Sequence, residues 1–304
     1  MKIISPVLLG LSLAVVGSSL AAAQEMQNQQ MQNPHMQSMQ MYGPPKVLQI
    51  TREFIKPGKA GALHDASESK FVAAMAKANW PTHYFALNSL SGKSRALYLT
   101  GYPSFKAWED DFMATMKNKA LSAELDKASV ADGELLEGID QFVFTYNEEM
   151  SYGPNPDIAH ARLMEITSFH IKPGHAKEWH ELVKLVIETH KKAGTSAHWA
   201  TYEIAYGGDN EYVAFSPDKS MAEIDTAFAE DKQFHDALGE EGMRKLRELE
   251  ADCIDSSDSE LFAFNPAQSY PHEEWVKEDP GFWKPKPMMA PAAKPAPAAK
   301  KPSM

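Results

Sequence analysis

The chain has 304 residues, of which 43% are hydrophobic and 23% charged, with a formal net charge of −11 and one cysteine. That length admits one large or two ordinary domains. The acidic balance argues against a protein that grips nucleic acid or an anionic membrane, and Cys253 alone cannot build a disulfide framework.

The first element reads as a secretory signal: Lys2, an apolar run from Ile3 to Val16, and the small residues Ala21, Ala22 and Ala23 before Gln24. Pro6, Gly10, Gly17, Ser18 and Ser19 interrupt the run, whereas a membrane anchor needs about 20 consecutive apolar residues. Residues 1–23 are therefore expected to be removed, leaving a periplasmic or secreted protein with no membrane span. Residues 24–44 form a disordered spacer of Gln, Met and Asn that cannot bury a core. Met31, Met36, Met39 and Met41 surround His35 there, and thioether sulfur suits Cu(I), which makes these five residues candidates for copper. A plain polar spacer is the simpler reading.

The next feature is internal repetition. Phe54-Ile55-Lys56-Pro57-Gly58 is answered by His170-Ile171-Lys172-Pro173-Gly174, and a histidine follows six residues after each glycine, His64 and His180. His83, Tyr98 and Pro103 are answered by His198, Tyr212 and Pro217, and Phe144 to Asn147 by Phe262 to Asn265. Within each copy, Val47–Ile55 and Leu163–Ile171 read as strands closed by Pro-Gly. Helices follow, with Trp179, Leu182, Val183, Val186, Ile187 and His190 on one face of the second; the first copy's stripe through Leu63, Ala66, Ser67, Lys70, Phe71 and Ala74 is less clean. Two short strands come next, 83–90 with 95–100 and 198–205 with 211–215, each pair joined by a glycine-containing turn. A longer helical region follows each proline, with Ser104 and Asp218 as candidate caps. Each copy ends on a strand, 141–146 and 260–264. Beyond it, residues 284–304 are Pro, Ala and Lys, an extended tail. Residues 43–283 hold 24 basic and 40 acidic side chains, so the folded part stands at −16 and the tail opposes it. Such a tail would suit contact with the cell envelope, or simply add solubility.

Strand, helix, strand, strand, helix, strand is the ferredoxin-like order, whose sheet leaves one face bare. The expected fold is α+β: tandem ferredoxin-like βαββαβ units, residues 45–155 and 160–272, packed sheet to sheet. Here the sequence resembles the dimeric α/β-barrel superfamily, with the strand ending in Lys-Pro-Gly similar to the start of its monooxygenase-like and NIPSNAP-like members. The resemblance spans roughly residues 45–270 and implies an intrachain version of that barrel.

No phosphate-binding loop, nucleophile elbow, C-x-x-C or H-E-x-x-H motif is present. His170, His175, Glu178 and His180 form the nearest metal-like run, but a strand end, a turn and a helix would hold them apart. His64 and His180 are expected beside the first helix's apolar stripe, bonded to backbone carbonyls. The candidate ligand-binding residues are instead His83, Tyr98, His198 and Tyr212, on strands that would face a shared interior, with Arg52 and His170 making the two halves unlike. Sheet packing is the plainer role for them.

Three functions fit. The first is a secreted small-molecule-binding or accessory protein with a pocket between its sheets. The second, implied by the resemblance, is a monooxygenase-like or haem enzyme, with the strand histidines and tyrosines as base or orienting groups, Arg52 as a polar partner, and His170 or His180 as a haem ligand. The third is copper handling through the methionine segment. The sequence requires no cofactor, and Cys253 is expected to be a buried thiol or an interchain link.

Overall fold

A computed structural model describes residues 43–153 and 157–284. The signal-like run, the methionine cluster with His35, and the tail beyond Lys284 lie outside the described residues. In chain order the elements are β1 (Val47–Ile55), α1 (Ala62–Lys77), β2 (Tyr84–Ser89), β3 (Arg95–Tyr102), α2 (Phe105–Lys117), α3 (Lys119–Gly133) and β4 (Leu136–Tyr152). After a 3-10 turn at Ile158–His160 come β5 (Leu163–Ile171), α4 (Ala176–Ala193), β6 (Trp199–Tyr206), β7 (Glu211–Asp218), α5 (Met221–Cys253), β8 (Ile254–Phe264), α6 (Glu273–Glu278) and α7 (Pro280–Trp283).

The eight strands close into a barrel in the order β1-β3-β2-β8-β5-β7-β6-β4, and every pair is antiparallel. The first four strands are thus arranged β4-β1-β3-β2 and the last four β8-β5-β7-β6. Two seams join these sets, β2 with β8 and β4 with β6. Both Pro-Gly turns place glycine in the left-handed region, at φ 77° for Gly58 and 87° for Gly174, where a side chain would be strained. The pairing also slips at matching places, between Phe54 and Ile55 and between His170 and Ile171. Such bulges re-aim the residues around them.

Strand alternation sends one face of each strand inward and the other toward the helices. The inward set makes one apolar core to which all eight strands contribute, including Leu48, Leu87, Leu99 and Phe144 on one side and Ile166, Tyr202, Phe215 and Phe262 on the other. Trp275 and Trp283, from α6 and α7, complete it. This corrects one expectation: the space between the sheets is packed core. Trp283 is fully buried and donates from Nε1 to the Ala159 carbonyl at 2.7 Å.

The capping expectations divide. The Ser104 hydroxyl accepts from the Ala107 N–H at 3.1 Å at the start of α2, whereas Asp218 still belongs to β7, opposite Leu163, and α5 starts after Ser220. The final strands are longer than their apolar centres suggested, because pairing extends them through polar residues. Among the described residues no helix is long and apolar enough to cross a membrane.

Candidate metal centre

The helix-facing side of the sheet differs sharply between the halves. Under α4, Trp179, Leu182, Val183 and Ile187 pack on Ile171, Tyr212, Leu246, Leu249 and Cys253, an ordinary apolar layer. Under α1 and α3 the corresponding layer is polar. Glu53 from β1, His64 and Glu68 one turn apart on α1, and Asp132 near the end of α3 are 7%, 0%, 4% and 2% exposed. His64 and Glu68 share a helix face by their i, i+4 spacing, and Glu53 belongs to the strand face opposite Leu48 and Ile50.

Four ligand atoms, one from each residue, all lie within 4.8 Å of one another. His64 Nε2 is 3.2 Å from Glu53 Oε2 and 3.7 Å from Asp132 Oδ1. Donors about 2.1 Å from a common ion stand roughly 3 to 4 Å apart, so the four need only close slightly to share one. Glu68 Oε1 and Asp132 Oδ1 are buried without a well-formed hydrogen bond, and the Tyr98 hydroxyl that lies against Glu68 is itself unpaired. Orphaned buried carboxylate oxygens are costly and rare. Among the described residues no lysine or arginine forms an ion pair with these three acids.

The electrostatics register that deficit. Burial, and then the charges of Glu53 and Asp132, push Glu68 up to about 9. Burial also raises Glu53, against the opposing hydrogen bond from His64. Tyr98, on β3, is driven well above the ordinary phenol value by burial and by the neighbouring Glu68 and Glu53. Without a cation, protons must take the place of positive charge here. A second group, Asp157, His160 and Glu278, is exposed, and Lys219 already neutralises Asp157 at 3.0 Å.

The residues singled out in the sequence do not meet in one cavity. Tyr98 adjoins the buried cluster. Tyr212 lies in the other half's helix–sheet layer, in ring contact with Trp179 and donating to Glu203 at 3.1 Å. His83 stacks on Tyr270 at 4.6 Å, and both His198 ring nitrogens lie at the backbone carbonyls of Pro217 and Ser196. Arg52 is clamped by Asp140 through bonds of 2.9 and 2.8 Å over the Phe142 ring, and His170 is exposed. His64 is not bonded to a backbone carbonyl as expected but to Glu53 and Gln268 side chains. Nor do His170 and His180 fit haem, since both are exposed and the space between the sheets is filled. The sequence did carry one signal for the true cluster: the imperfect apolar stripe of α1 is the trace of a buried face made of His64, Ser67 and Glu68.

No family model matches the chain, and a comparison with curated proteins gave no match. Among solved structures it is similar to a protein of Fusobacterium nucleatum provisionally named a monooxygenase, at 16% identity and a TM-score of 0.48 over 74% of this chain and 94% of that one. An anthrone oxidase-like protein matches at 11% identity and 0.44 over 75% and 95%. The imidazole complex of chlorite dismutase from Candidatus Nitrospira defluvii matches at 7% and 0.45 over 80% and 98%. At these scores the likenesses carry no argument about this chain's chemistry, and the closed barrel rests on its own strand pairing.

Proposed function

We propose that this chain is a metal protein: it holds one divalent ion of the Mn²⁺, Fe²⁺ or Zn²⁺ class through Glu53, His64, Glu68 and Asp132. The carrying observation is the convergence of four buried donors, two of them with orphaned carboxylate oxygens. Three oxygens and one imidazole suit hard-to-borderline cations better than Cu(I). A dication would displace the proton that Glu68 otherwise retains and offset two of the three buried negative charges that result.

This reading supersedes a ligand pocket inside the barrel, because apolar side chains occupy that space. We further read the chain as two ferredoxin-like units in tandem, supported by the matching strand orders, bulges and Pro-Gly turns, with a metal centre retained or acquired by one unit only. The signal-like residues 1–23 support export to the periplasm or beyond, and the basic tail suits contact with the envelope.

Elemental analysis of purified protein, followed by titration with Zn²⁺ and Mn²⁺ after chelation, tests the proposal. One ion per chain is expected, falling at least tenfold in affinity in Asp132→Asn and in His64→Gln. Unchanged stoichiometry and affinity in both variants would remove the site.

A further inference from the structure

The buried histidine is held by a residue from the opposite half of the chain. Gln268, just beyond β8, is fully buried, and its side-chain Nε2 lies 3.1 Å from His64 Nδ1 and 2.9 Å from Asp65 Oδ1. An amide nitrogen only donates, and the Asp65 carboxylate only accepts, so this carboxylate fixes which way the amide faces. His64 Nδ1 is therefore an acceptor, and the ring proton sits on Nε2, where it is directed at Glu53 Oε2 at 3.2 Å. Nε2 is also the nitrogen that lies 3.7 Å from Asp132 Oδ1, on the side of the ring where the carboxylates gather. In the metal-free protein the ligating nitrogen is thus occupied by a proton.

We propose that Gln268 is a positioning residue that sets the His64 tautomer, and that metal binding requires its side-chain amide to turn over. This rests on the metal reading above. An ion bound at Nε2 relocates the ring proton to Nδ1, which then needs an acceptor. The Gln268 Oε1 atom, buried and without a partner, is the acceptor at hand. No proton is gained or lost by the ring in this exchange; it moves from one nitrogen to the other. Inversion removes the Gln268 donor from Asp65, leaving Asn265 Nδ2, at 2.8 Å, as its remaining amide donor. It also turns an amide oxygen toward that carboxylate.

The cost of the inversion falls on a strap that links the two halves. Asn265 bonds Asp65 through its side chain and Ala86 through its backbone, Ser269 Oγ accepts from the Ala86 N–H at 2.9 Å, and Tyr270 pairs with Tyr84. Occupancy of the centre in the first half is thereby coupled to docking of residues 265–270 from the second. Ligand-bound histidines ordinarily donate their second nitrogen to an oxygen, and this chain has to rearrange to provide one.

Long-range ¹⁵N–¹H spectra of ¹⁵N-histidine-labelled protein test this, with His64→Gln identifying the resonance. The expected result is an Nε2–H ring in metal-free protein and an Nδ1–H ring after Zn²⁺ loading. In the double variant Asp65→Asn with Gln268→Glu, a carboxylate faces Nδ1 and the repulsion with residue 65 is removed. That variant should show Nδ1–H without metal and bind Zn²⁺ roughly tenfold more tightly. An Nδ1–H ring in metal-free wild type overturns the role of Gln268 whether or not zinc binds. Equal zinc affinity in the double variant overturns the inversion step. An Nε2–H ring together with no zinc binding by wild type overturns the metal reading and the inversion with it.

Discussion

Glu68 shows how a single side chain can be unfavourable to the metal-free fold. Its pKa stands near 9 in the folded chain against an ordinary value of 4.5, chiefly through burial. Between those values the folded state keeps a proton that the unfolded chain has released, so metal-free stability falls as pH rises from about 4.5 through 9. Each pH unit in that window is worth on the order of 1 kcal/mol. Glu68→Gln keeps the shape and removes the ionisation. Thermal melts of metal-free protein should therefore show the variant gaining on wild type between pH 6 and pH 8, by a few degrees or more, while zinc binding is lost. A variant that loses stability uniformly across that range would show that the carboxyl group is a fold element and not a ligand.

At this scale the sequence disclosed only part of the centre. His64 stood out because its counterpart His180 shares its position in the repeat, yet its role was hidden: Glu53, on the strand before it, and Asp132, nearly 70 residues later, meet it only through the packing of α1 and α3 on the sheet. The shared offset puts Phe169 opposite Glu53 and Lys184 opposite Glu68, so neither acid has a counterpart in the second copy and the repeat does not mark them. Aromatic rings on strands do not distinguish a binding site from sheet packing, because both use the same residue types. Tyr98 and Tyr212 match in sequence but face a carboxylate cluster in one half and a tryptophan in the other.

Helices α1 and α4 occupy equivalent places and bury opposite chemistries. Their stability should therefore respond differently to the same treatment. Trp179 is 3% exposed and packs against both Phe169 and Tyr212, so Trp179→Ala should cost about 3–5 kcal/mol in denaturant unfolding at any pH. Cys253 closes the same layer and is wholly buried, with burial raising its thiol pKa. A thiol in that state reacts slowly because the thiolate is scarce and inaccessible. Maleimide labelling should be negligible in native protein and complete in denaturant; fast labelling of the native chain would show that the α4–α5 layer opens readily. The strands were more legible than the helices' partners: β1 and β5 match their expected limits, since branched and aromatic residues ended by Pro-Gly leave little freedom in where they stop. What the local pattern could not disclose was α6 and α7, whose few residues belong to the core only because the barrel end is there to receive them.

At the scale of the molecule, the arrangement of the core decides how the halves depend on one another. The seam between β2 and β8 is short, with three paired positions from Leu87 opposite Phe264 to Ser89 opposite Phe262. The strap and the two terminal helices reinforce it: Trp283 lies 5.7 Å from the Trp275 ring and 5.9 Å from Phe264, while Trp275 reaches Phe85 of the first half at 6.0 Å. Because every strand contributes to one apolar cluster, neither half retains a complete core when the other unfolds. Unfolding is thus expected to be a single transition, with circular dichroism and tryptophan fluorescence coinciding. Trp283→Ala removes a side chain that touches residues of the second half directly and the first half through Trp275, at a cost of about 3–5 kcal/mol. It should move the whole transition to lower denaturant without splitting it, and the chelated protein should still take up one zinc ion, since the centre lies on the other face of the sheet. Two separated transitions in that variant, with only one lowered, would mean that each half carries a core of its own and that the barrel is an association of independent units.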